Sequence, residues 1–202
     1  GTASASRADL KALVRTHGAG TLGWMLTWPG NEAWTSPDGE SGFAFRAGSG
    51  VALTLSDPAA DPERIPRTVE AFAHYAHQAG MVPALYSVHE PTMLAARKLG
   101  WTVLQVAQEA VIDLPDLAFR GKAFQDVRTA LNHAKKEGVE AVWTSFRDCP
   151  AGRRDQIRAI SQAWASDKPL PEMGFTLGGL AELDDSETRL LLAVDADGTV
   201  QG

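Results

Sequence analysis

The stretch SGFAFRAGSGVALTLSDP, residues 41–58, decides the fold. It holds two runs that are rich in strand-forming residues, SGFAFRA (41–47) and GVALTLS (50–56), separated by Gly48-Ser49. Two such runs around a tight turn are typical of a β-hairpin. Asp57-Pro58 marks the end of the second run, because this pair favours a turn. The stretch therefore predicts a hairpin of two antiparallel strands.

Helical and extended segments alternate on both sides of this hairpin. Ile65, Val69, Phe72 and Ala76 recur at helical spacing, which predicts a helix over residues 62–79. Further segments follow from composition and from turn-forming residues. The pattern predicts strands at TLGWMLTW (21–28), VPALYSV (82–88), WTVLQV (101–106) and EAVIDL (109–114), and a helix at EPTMLAARKLG (90–100). This order predicts an α/β (α+β) fold with a mixed central sheet flanked by helices.

A second region begins near Pro115. The segment LPDLAFRG (114–121) has the composition of a boundary, so we predict two domains, 1–117 and 118–202. The second is predicted to contain helices at 121–138 and 151–167 and strands at 139–145 and 190–200. The chain ends just after a turn at Asp195 to Gly198, so we expect this second fold to be incomplete here.

Composition limits the class of protein. The 202 residues include 44% hydrophobic residues, which is ordinary for globular α/β domains. The single cysteine, Cys149, excludes an internal disulfide and fits a reducing, cytosolic setting. No apolar run approaches the roughly 20 residues of a membrane span, and residues 1–10 lack the apolar core of a secretion signal. The formal net charge of -6 argues against a general nucleic-acid coat protein but allows a local basic patch.

Such a patch is predicted on the helix GKAFQDVRTALNHAKKEG, residues 121–138. On a helical wheel, one face is apolar and is predicted to lie in the core: Phe124, Val127, Leu131 and Ala134. The opposite face carries Arg128, Asn132, Lys135 and Lys136. Cations beside neutral hydrogen-bonding side chains suit phosphate groups. The same pattern also fits a solvated face with cations near the helix C-terminus, where the helix dipole favours them.

The sequence gives weaker support for a metal site, a reactive cysteine or a coenzyme A site. His74, His77 and Glu70 give too few local ligands for a metal site, and they lie on a predicted solvent-facing side. Cys149 precedes a proline in a predicted loop and is interpreted as a free thiol near the surface. We find no Gly-rich turn opening a helix, as coenzyme A would require. The sequence therefore predicts neither a metal nor a cofactor.

Three separated motifs resemble the lysylphosphatidylglycerol synthetase family, also called multiple peptide resistance factor. The first is the pattern GKxxxxxRxALNxxxxEG, matched by Gly121, Lys122, Arg128, Ala130, Leu131, Asn132, Glu137 and Gly138. The second is the hairpin with its Asp57-Pro58 turn. The third is MGFTLGGL (173–180), which is similar to the family's Gly-Phe-Ser-Leu-Gly element, with Thr176 in place of serine. The resemblance covers roughly residues 20–202.

This resemblance implies two tandem GNAT-like acyltransferase folds in the cytosolic part of a plasma-membrane protein, after a multi-span N-terminal part. It implies transfer of lysine or alanine from aminoacyl-tRNA to a hydroxyl of phosphatidylglycerol, which gives resistance to cationic antimicrobial peptides. Under it, the tRNA phosphates would be bound by one set of side chains on or beside the helix 121–138: Lys122, Arg128, Asn132, Lys135, Lys136 and, more peripherally, Arg120. No catalytic residue is assigned, and we expect this fragment alone to be inactive.

Two other interpretations of the sequence stay open. One is a different tRNA-dependent aminoacyltransferase with paired GNAT-like folds, such as one that extends peptidoglycan cross-bridges. The acceptor molecule distinguishes it from the lipid enzyme. The other is a non-catalytic GNAT-like domain that only binds tRNA or a protein partner.

Overall fold

The computed structural model describes residues 5–166 and 178–202. It divides into two compact units, a first unit of residues 1–109 and a second unit of residues 110–202. The predicted motif at 173–180 lies mostly outside the described residues.

A four-stranded mixed sheet forms the centre of the first unit. Its strands are β1 (Glu32–Thr35), β2 (Gly42–Gly48), β3 (Val51–Leu55) and β4 (Val82–Tyr86), in the spatial order β1-β2-β3-β4. The first three strands are antiparallel, and β4 runs parallel to β3. A parallel pair needs a crossover, which the helix α2 (Ile65–Gln78) supplies. The predicted hairpin and mixed sheet are therefore confirmed.

Two further helices complete this unit. The helix α1 (Arg7–His17) begins at a capping box, in which Ser6 and Asp9 each bind the other's backbone N–H. Its Leu10 and Val14, one helical turn apart, are buried against Leu26 and Ala44. The helix α3 (Glu90–Lys98) follows β4 and has Pro91 in its first turn.

The main core lies between α2 and the sheet and is rich in aromatic rings. Phe72 of α2 is fully buried among Trp34, Phe43 and Phe45 from the strands. Its ring centroid lies 4.9 Å from that of Phe43 and 5.3 Å from that of Trp34. Aromatic pairs at these separations add to the stabilisation from area burial alone. This packing fixes α2 on the sheet and thereby the ends of β3 and β4.

Two predicted extended regions are wrong. Residues 21–28 contain a 3₁₀ turn, Gly23–Thr27, in place of a strand. Leu26 of this turn is buried with Leu10 of α1 and Ala44 of β2, and it has no strand neighbour. Residues 101–114 contain no strand. Neither segment has a ladder of backbone hydrogen bonds, which a strand requires.

The second unit has two helices and a two-stranded sheet among its described residues. The elements are α4 (Gln125–Lys136), β5 (Glu140–Thr144), α5 (Ala151–Ser166) and β6 (Leu190–Val194). The strands pair antiparallel with Glu140 opposite Val194 and Thr144 opposite Leu190. Phe146, Ile157 and Leu192 form a small buried cluster between this sheet and α5.

Cys149 belongs to this cluster and is buried, so its predicted position near the surface is wrong. Its sulfur lies 3.6 Å from the hydroxyl oxygen of Thr144. A small buried thiol behaves as an apolar side chain, and this site gives it a packing role. In the described parts of the chain, no helix is long and apolar enough to cross a membrane.

Candidate functional site

The predicted basic surface lies on α4 and on the 3₁₀ turn Lys122–Phe124 that precedes it. Five of its six predicted residues are exposed: Arg120, Lys122, Asn132, Lys135 and Lys136. Within residues 5–166 and 178–202, no ion pair involves Lys122, Lys135 or Lys136. These ammonium groups are therefore accessible to an anionic partner.

Arg128 has a different environment from the other cations. It is half-buried, and its Nη1 donates to the backbone oxygens of Phe119 at 3.0 Å and Gly121 at 2.8 Å. The guanidinium thus fixes the turn that leads into α4. These two contacts use only part of its donors, because a guanidinium carries five N–H groups.

The apolar face of α4 is not buried, contrary to the prediction. Leu131 is 57% exposed, and Val127 is exposed as well. No residue of α4 is buried. The amphipathic pattern identified the helix correctly but did not identify a partner for its apolar side.

A second polar cluster lies in the first unit, and the sequence pattern did not predict it. It consists of Asp57, which follows β3, His89, which follows β4, and Glu109. The carboxyl ends of parallel strands meet at one edge of a sheet, and this edge is a common place for functional side chains. Since β3 and β4 are parallel, Asp57 and His89 come together although 32 positions separate them.

The geometry of the cluster is tightly fixed. The imidazole Nδ1 of His89 lies 2.5 Å from Oδ2 of Asp57, and its Nε2 lies 2.8 Å from Oε2 of Glu109. The other oxygen of Asp57 accepts from the backbone N–H of His89 at 3.0 Å and from the hydroxyl of Thr92 at 2.5 Å. Thr21 donates its hydroxyl to Glu109. Each carboxylate is therefore held by at least two donors.

Gly20 is required where the chain passes over this cluster. A Cβ at this position would lie 2.5 Å from Oδ2 of Asp57 and 3.1 Å from Nδ1 of His89. Its φ of +75° also belongs to the left-handed region that favours glycine. The close approach encloses Asp57, whereas the imidazole stays 40% exposed.

The two carboxylates favour the charged imidazolium. The hydrogen bonds that the ring makes to the carboxylate of Glu109 and, second, to that of Asp57 raise the pKa of His89. Hydrogen bonds from Thr21 and then from His89 lower the pKa of Glu109. In its charged form, the ring can donate to Asp57 from Nδ1 and to Glu109 from Nε2.

We predict that Glu109→Gln lowers the pKa of His89, because the amide removes one of its two anionic neighbours. The pH titration of the His89 ring by NMR measures this change. Glu90→Gln is the matched control, since Glu90 is a nearby glutamate with no bond to the ring among the described contacts. An unchanged His89 midpoint in Glu109→Gln would contradict the described geometry.

The sign of the accompanying stability change follows from linkage. The pKa of His89 is raised on folding, so its stabilising contribution is complete below the unfolded-state pKa. The contribution is lost as the pH rises through the folded-state pKa. Unfolding experiments on Glu109→Gln should therefore show a smaller loss of stability across this pH window than the unsubstituted chain shows.

A cleft lies next to His89 and Glu109. Its volume is about 940 Å³, and it separates β4 and α3 from residues 101–109. Leu85, Met93, Trp101 and Val106 line its apolar walls. Clefts of this size with a few polar groups at one end are typical ligand sites. Among the described residues, no group of three or more His, Cys, Asp or Glu side chains could hold a metal ion.

Solved structures share this fold, and two of them illustrate it. L-PGS from Bacillus licheniformis superposes with a TM-score of 0.81 at 22% identity, over 96% of this chain and 59% of that one. The C-terminal domain of a putative lysylphosphatidylglycerol synthetase from Agrobacterium fabrum also gives a TM-score of 0.81, at 18% identity, over 96% of this chain and 62% of that one. The class is therefore a mixed α/β protein with the fold of these synthetase domains, consistent with the predicted GNAT-like fold.

Sequence comparison narrows this class to one family. The chain belongs to the family described as phosphatidylglycerol lysyltransferase, C-terminal, whose model matches residues 11–202. An uncharacterized protein of Corynebacterium glutamicum is 40% identical over 193 residues, 94% of this chain and 24% of that protein. The lysylphosphatidylglycerol biosynthesis bifunctional protein LysX of Rhodococcus jostii is 29% identical over 96% of this chain and 17% of that protein. This chain thus spans about a quarter or less of the length of these relatives.

Proposed function

We propose that this chain is part of an aminoacyl-tRNA-dependent phosphatidylglycerol aminoacyltransferase. The observation that carries the proposal is the family match over residues 11–202. The product would be a lysyl or alanyl ester of the lipid. Since such a lipid carries less negative charge than phosphatidylglycerol, the reaction would weaken the binding of cationic antimicrobial peptides.

The transfer reaction does not require a covalent intermediate with the enzyme. The aminoacyl-tRNA ester is already activated, so a lipid hydroxyl attacks its carbonyl carbon, the ester bond to tRNA breaks, and the tRNA hydroxyl takes up a proton. The enzyme has to stabilise the tetrahedral oxyanion and hold two large substrates together. Binding surfaces for the tRNA and for the lipid are therefore the features to seek in this chain.

The exposed cations of α4 and of the 3₁₀ turn before it supply a surface for the tRNA. Lys122, Lys135 and Lys136 are exposed and have no ion-pair partner among the described residues, and Asn132 lies on the same side. Ammonium groups attract phosphates, and the asparagine amide adds directed donors. Arg128 would support this surface by fixing the turn before α4, and Arg120 would lie at its margin.

The remaining parts of the proposal concern partners and location. The partners would be aminoacyl-tRNA, phosphatidylglycerol at the membrane surface and an N-terminal membrane-spanning part of the same protein. The chain would then lie on the cytoplasmic side of the plasma membrane, where charged tRNA is present. This arrangement would place the tRNA surface and the lipid within reach of one protein.

We predict that Lys135→Glu/Lys136→Glu weakens tRNA binding by this chain. Each lost phosphate contact should also reduce the salt dependence, so the slope of log affinity against log salt should become shallower by about 2 for the pair. Fluorescence anisotropy of labelled tRNA across a salt series measures both quantities. Arg128 is left unchanged because its replacement would disturb the turn before α4.

Arg67→Glu/Lys98→Glu is the matched control, with the same change of charge on exposed positions of α2 and α3. It should retain the affinity and the slope of the unsubstituted chain. Equal weakening in both double variants would indicate a non-specific charge effect and contradict a binding surface on α4. The absence of any binding at low salt would contradict it as well.

A further inference from the structure

The loop before α4, residues 119–124, is held by a side chain of the helix itself. Arg128 is half-buried, and its Nη1 donates to the oxygens of Phe119 at 3.0 Å and Gly121 at 2.8 Å. A single nitrogen thus connects two carbonyl groups that lie two positions apart in the chain. These bonds join the loop to the first turn of α4.

The two carbonyl groups directly precede the two cations of this loop. The oxygen of Phe119 belongs to the peptide group that leads into Arg120. The oxygen of Gly121 belongs to the peptide group that leads into Lys122. Because a peptide group is planar, holding its oxygen also fixes the direction of the N–Cα bond that follows. Arg128 therefore constrains the backbone at the start of each cation.

The rest of the loop contains features that would leave it adaptable without these bonds. Gly121 has a φ of +76°, and no side chain caps the 3₁₀ turn that it precedes. Glycine adopts this and many other backbone conformations readily. The ring of Phe119 packs edge-on against that of Phe124 with centroids 5.6 Å apart, but Phe119 is itself 44% exposed. The bonds from Arg128 thus order a segment that its own composition leaves flexible.

We infer that Arg128 acts as a positioning residue for the tRNA surface rather than as one of its phosphate contacts. Through the loop it sets the directions of Arg120 and Lys122. A cation on an ordered backbone loses less conformational entropy when it meets a phosphate, so its contact is stronger. Lys135 and Lys136 lie at the other end of α4 and do not depend on this loop. The inference rests on the proposed function, because it concerns how the same surface binds tRNA.

Coupling between two substitutions tests this role in the whole chain. Lys122→Ala should make the slope of log affinity for tRNA against log salt shallower by about 1, because one phosphate contact is lost. In an Arg128→Ala background the same substitution should leave the slope unchanged, because Lys122 no longer has a fixed direction. Fluorescence anisotropy of labelled tRNA across a salt series measures all four slopes of this double-mutant cycle.

Lys136→Ala is the matched control, since it removes the same charge from the last position of α4. It should make the slope shallower by about 1 in both backgrounds. NMR amide signals measured without tRNA provide a structural readout of the loop. The signals of Gly121 and Lys122 should shift in Arg128→Ala and stay in place in Lys136→Ala.

Three results would overturn the inference. The first is an equal slope change for Lys122→Ala in both backgrounds, because Arg128 would then act independently of Lys122. The second is a loss of the Lys136→Ala effect in the Arg128→Ala background, which would indicate disruption of the whole surface. The third is an unshifted amide signal of Lys122 in Arg128→Ala. Absence of tRNA binding by the unsubstituted chain would instead contradict the proposed function, and the amide signals would still show whether Arg128 orders the loop.

Discussion

Phe72→Ala is expected to lower the free energy of unfolding of the first unit by about 3–5 kcal/mol, the largest effect that we predict for a single substitution. Phe72 is fully buried and contacts the rings of Trp34, Phe43 and Phe45. Alanine would remove the ring that joins α2 to the sheet and leave a cavity among three other aromatic side chains. Rigid neighbours can fill such a cavity only in part. The loss in the free energy of unfolding should therefore lie at the upper end of the range for large-to-small substitutions in a core.

Denaturant unfolding of the chain measures this effect. Because the chain divides into two compact units, the comparison concerns the transition that involves the first unit. Leu94→Ala is the control, because Leu94 lies on α3 with an exposed side chain and alanine is the best helix former. It should change the stability by less than about 1 kcal/mol. Similar losses in both variants would show that Phe72 is not the centre of this core.

Gly20→Ala is expected to have the second-largest effect, through the Asp57–His89 cluster. Its Cβ would lie 2.5 Å from a carboxylate oxygen of Asp57, a side chain that is itself fixed by Thr92 and by the backbone of His89. Because this oxygen belongs to a held group, the clash can be relieved only by moving the loop or breaking the contact with His89. We expect a loss of about 1–3 kcal/mol from this overpacking. The strain of a positive φ adds about 1–2 kcal/mol.

Gly39→Ala separates the two contributions. Gly39 has a φ of +74°, nearly the same as Gly20, but a Cβ there meets no atom within 4 Å. The stability loss of Gly39→Ala should therefore come from the backbone strain alone. The difference in stability between the two variants measures the crowding at Asp57, and the His89 ring in Gly20→Ala should also show an altered titration by NMR. Equal stability of the two variants would contradict the described approach of Gly20 to the cluster.

The strongest periodic signals of the sequence predicted their elements well. The helix around Phe72 and the hairpin at 41–58 were predicted because each has a clear period and a clear turn or cap. The helix α1 was not predicted, although Ser6 and Asp9 have the spacing of a capping box and Leu10 and Val14 follow at helical spacing. The strand β1 has four residues, which is too short for a period to appear.

The wrongly predicted segments share a physical cause. Residues 21–28 and 101–114 contain strand-forming side chains, but a strand also needs a neighbour, and local propensity does not specify one. The apolar face of α4 is a similar case, because an amphipathic pattern identifies a helix without identifying what covers it.

The candidate sites differ in how far the sequence could reveal them. The cations of α4 lie within one helix, so their shared face could be predicted from spacing alone. Asp57 and His89 meet only because β3 and β4 are parallel neighbours. In the sequence, each of the two residues comes directly after a predicted strand. This position predicts a shared site only if the two strands are taken to be parallel neighbours, which the sequence does not show.

The transfer reaction itself provides the sharpest test of the proposed function. The protein that carries this chain, purified at its natural length, would be incubated with charged tRNA and phosphatidylglycerol vesicles, and the lipids analysed by mass spectrometry. We expect an aminoacyl ester of phosphatidylglycerol whose formation ceases after ribonuclease treatment, and a lower yield in Lys135→Glu/Lys136→Glu than in Arg67→Glu/Lys98→Glu. Formation of the lipid without tRNA, or its absence when charged tRNA and lipid are both supplied, would show that the proposed function is wrong.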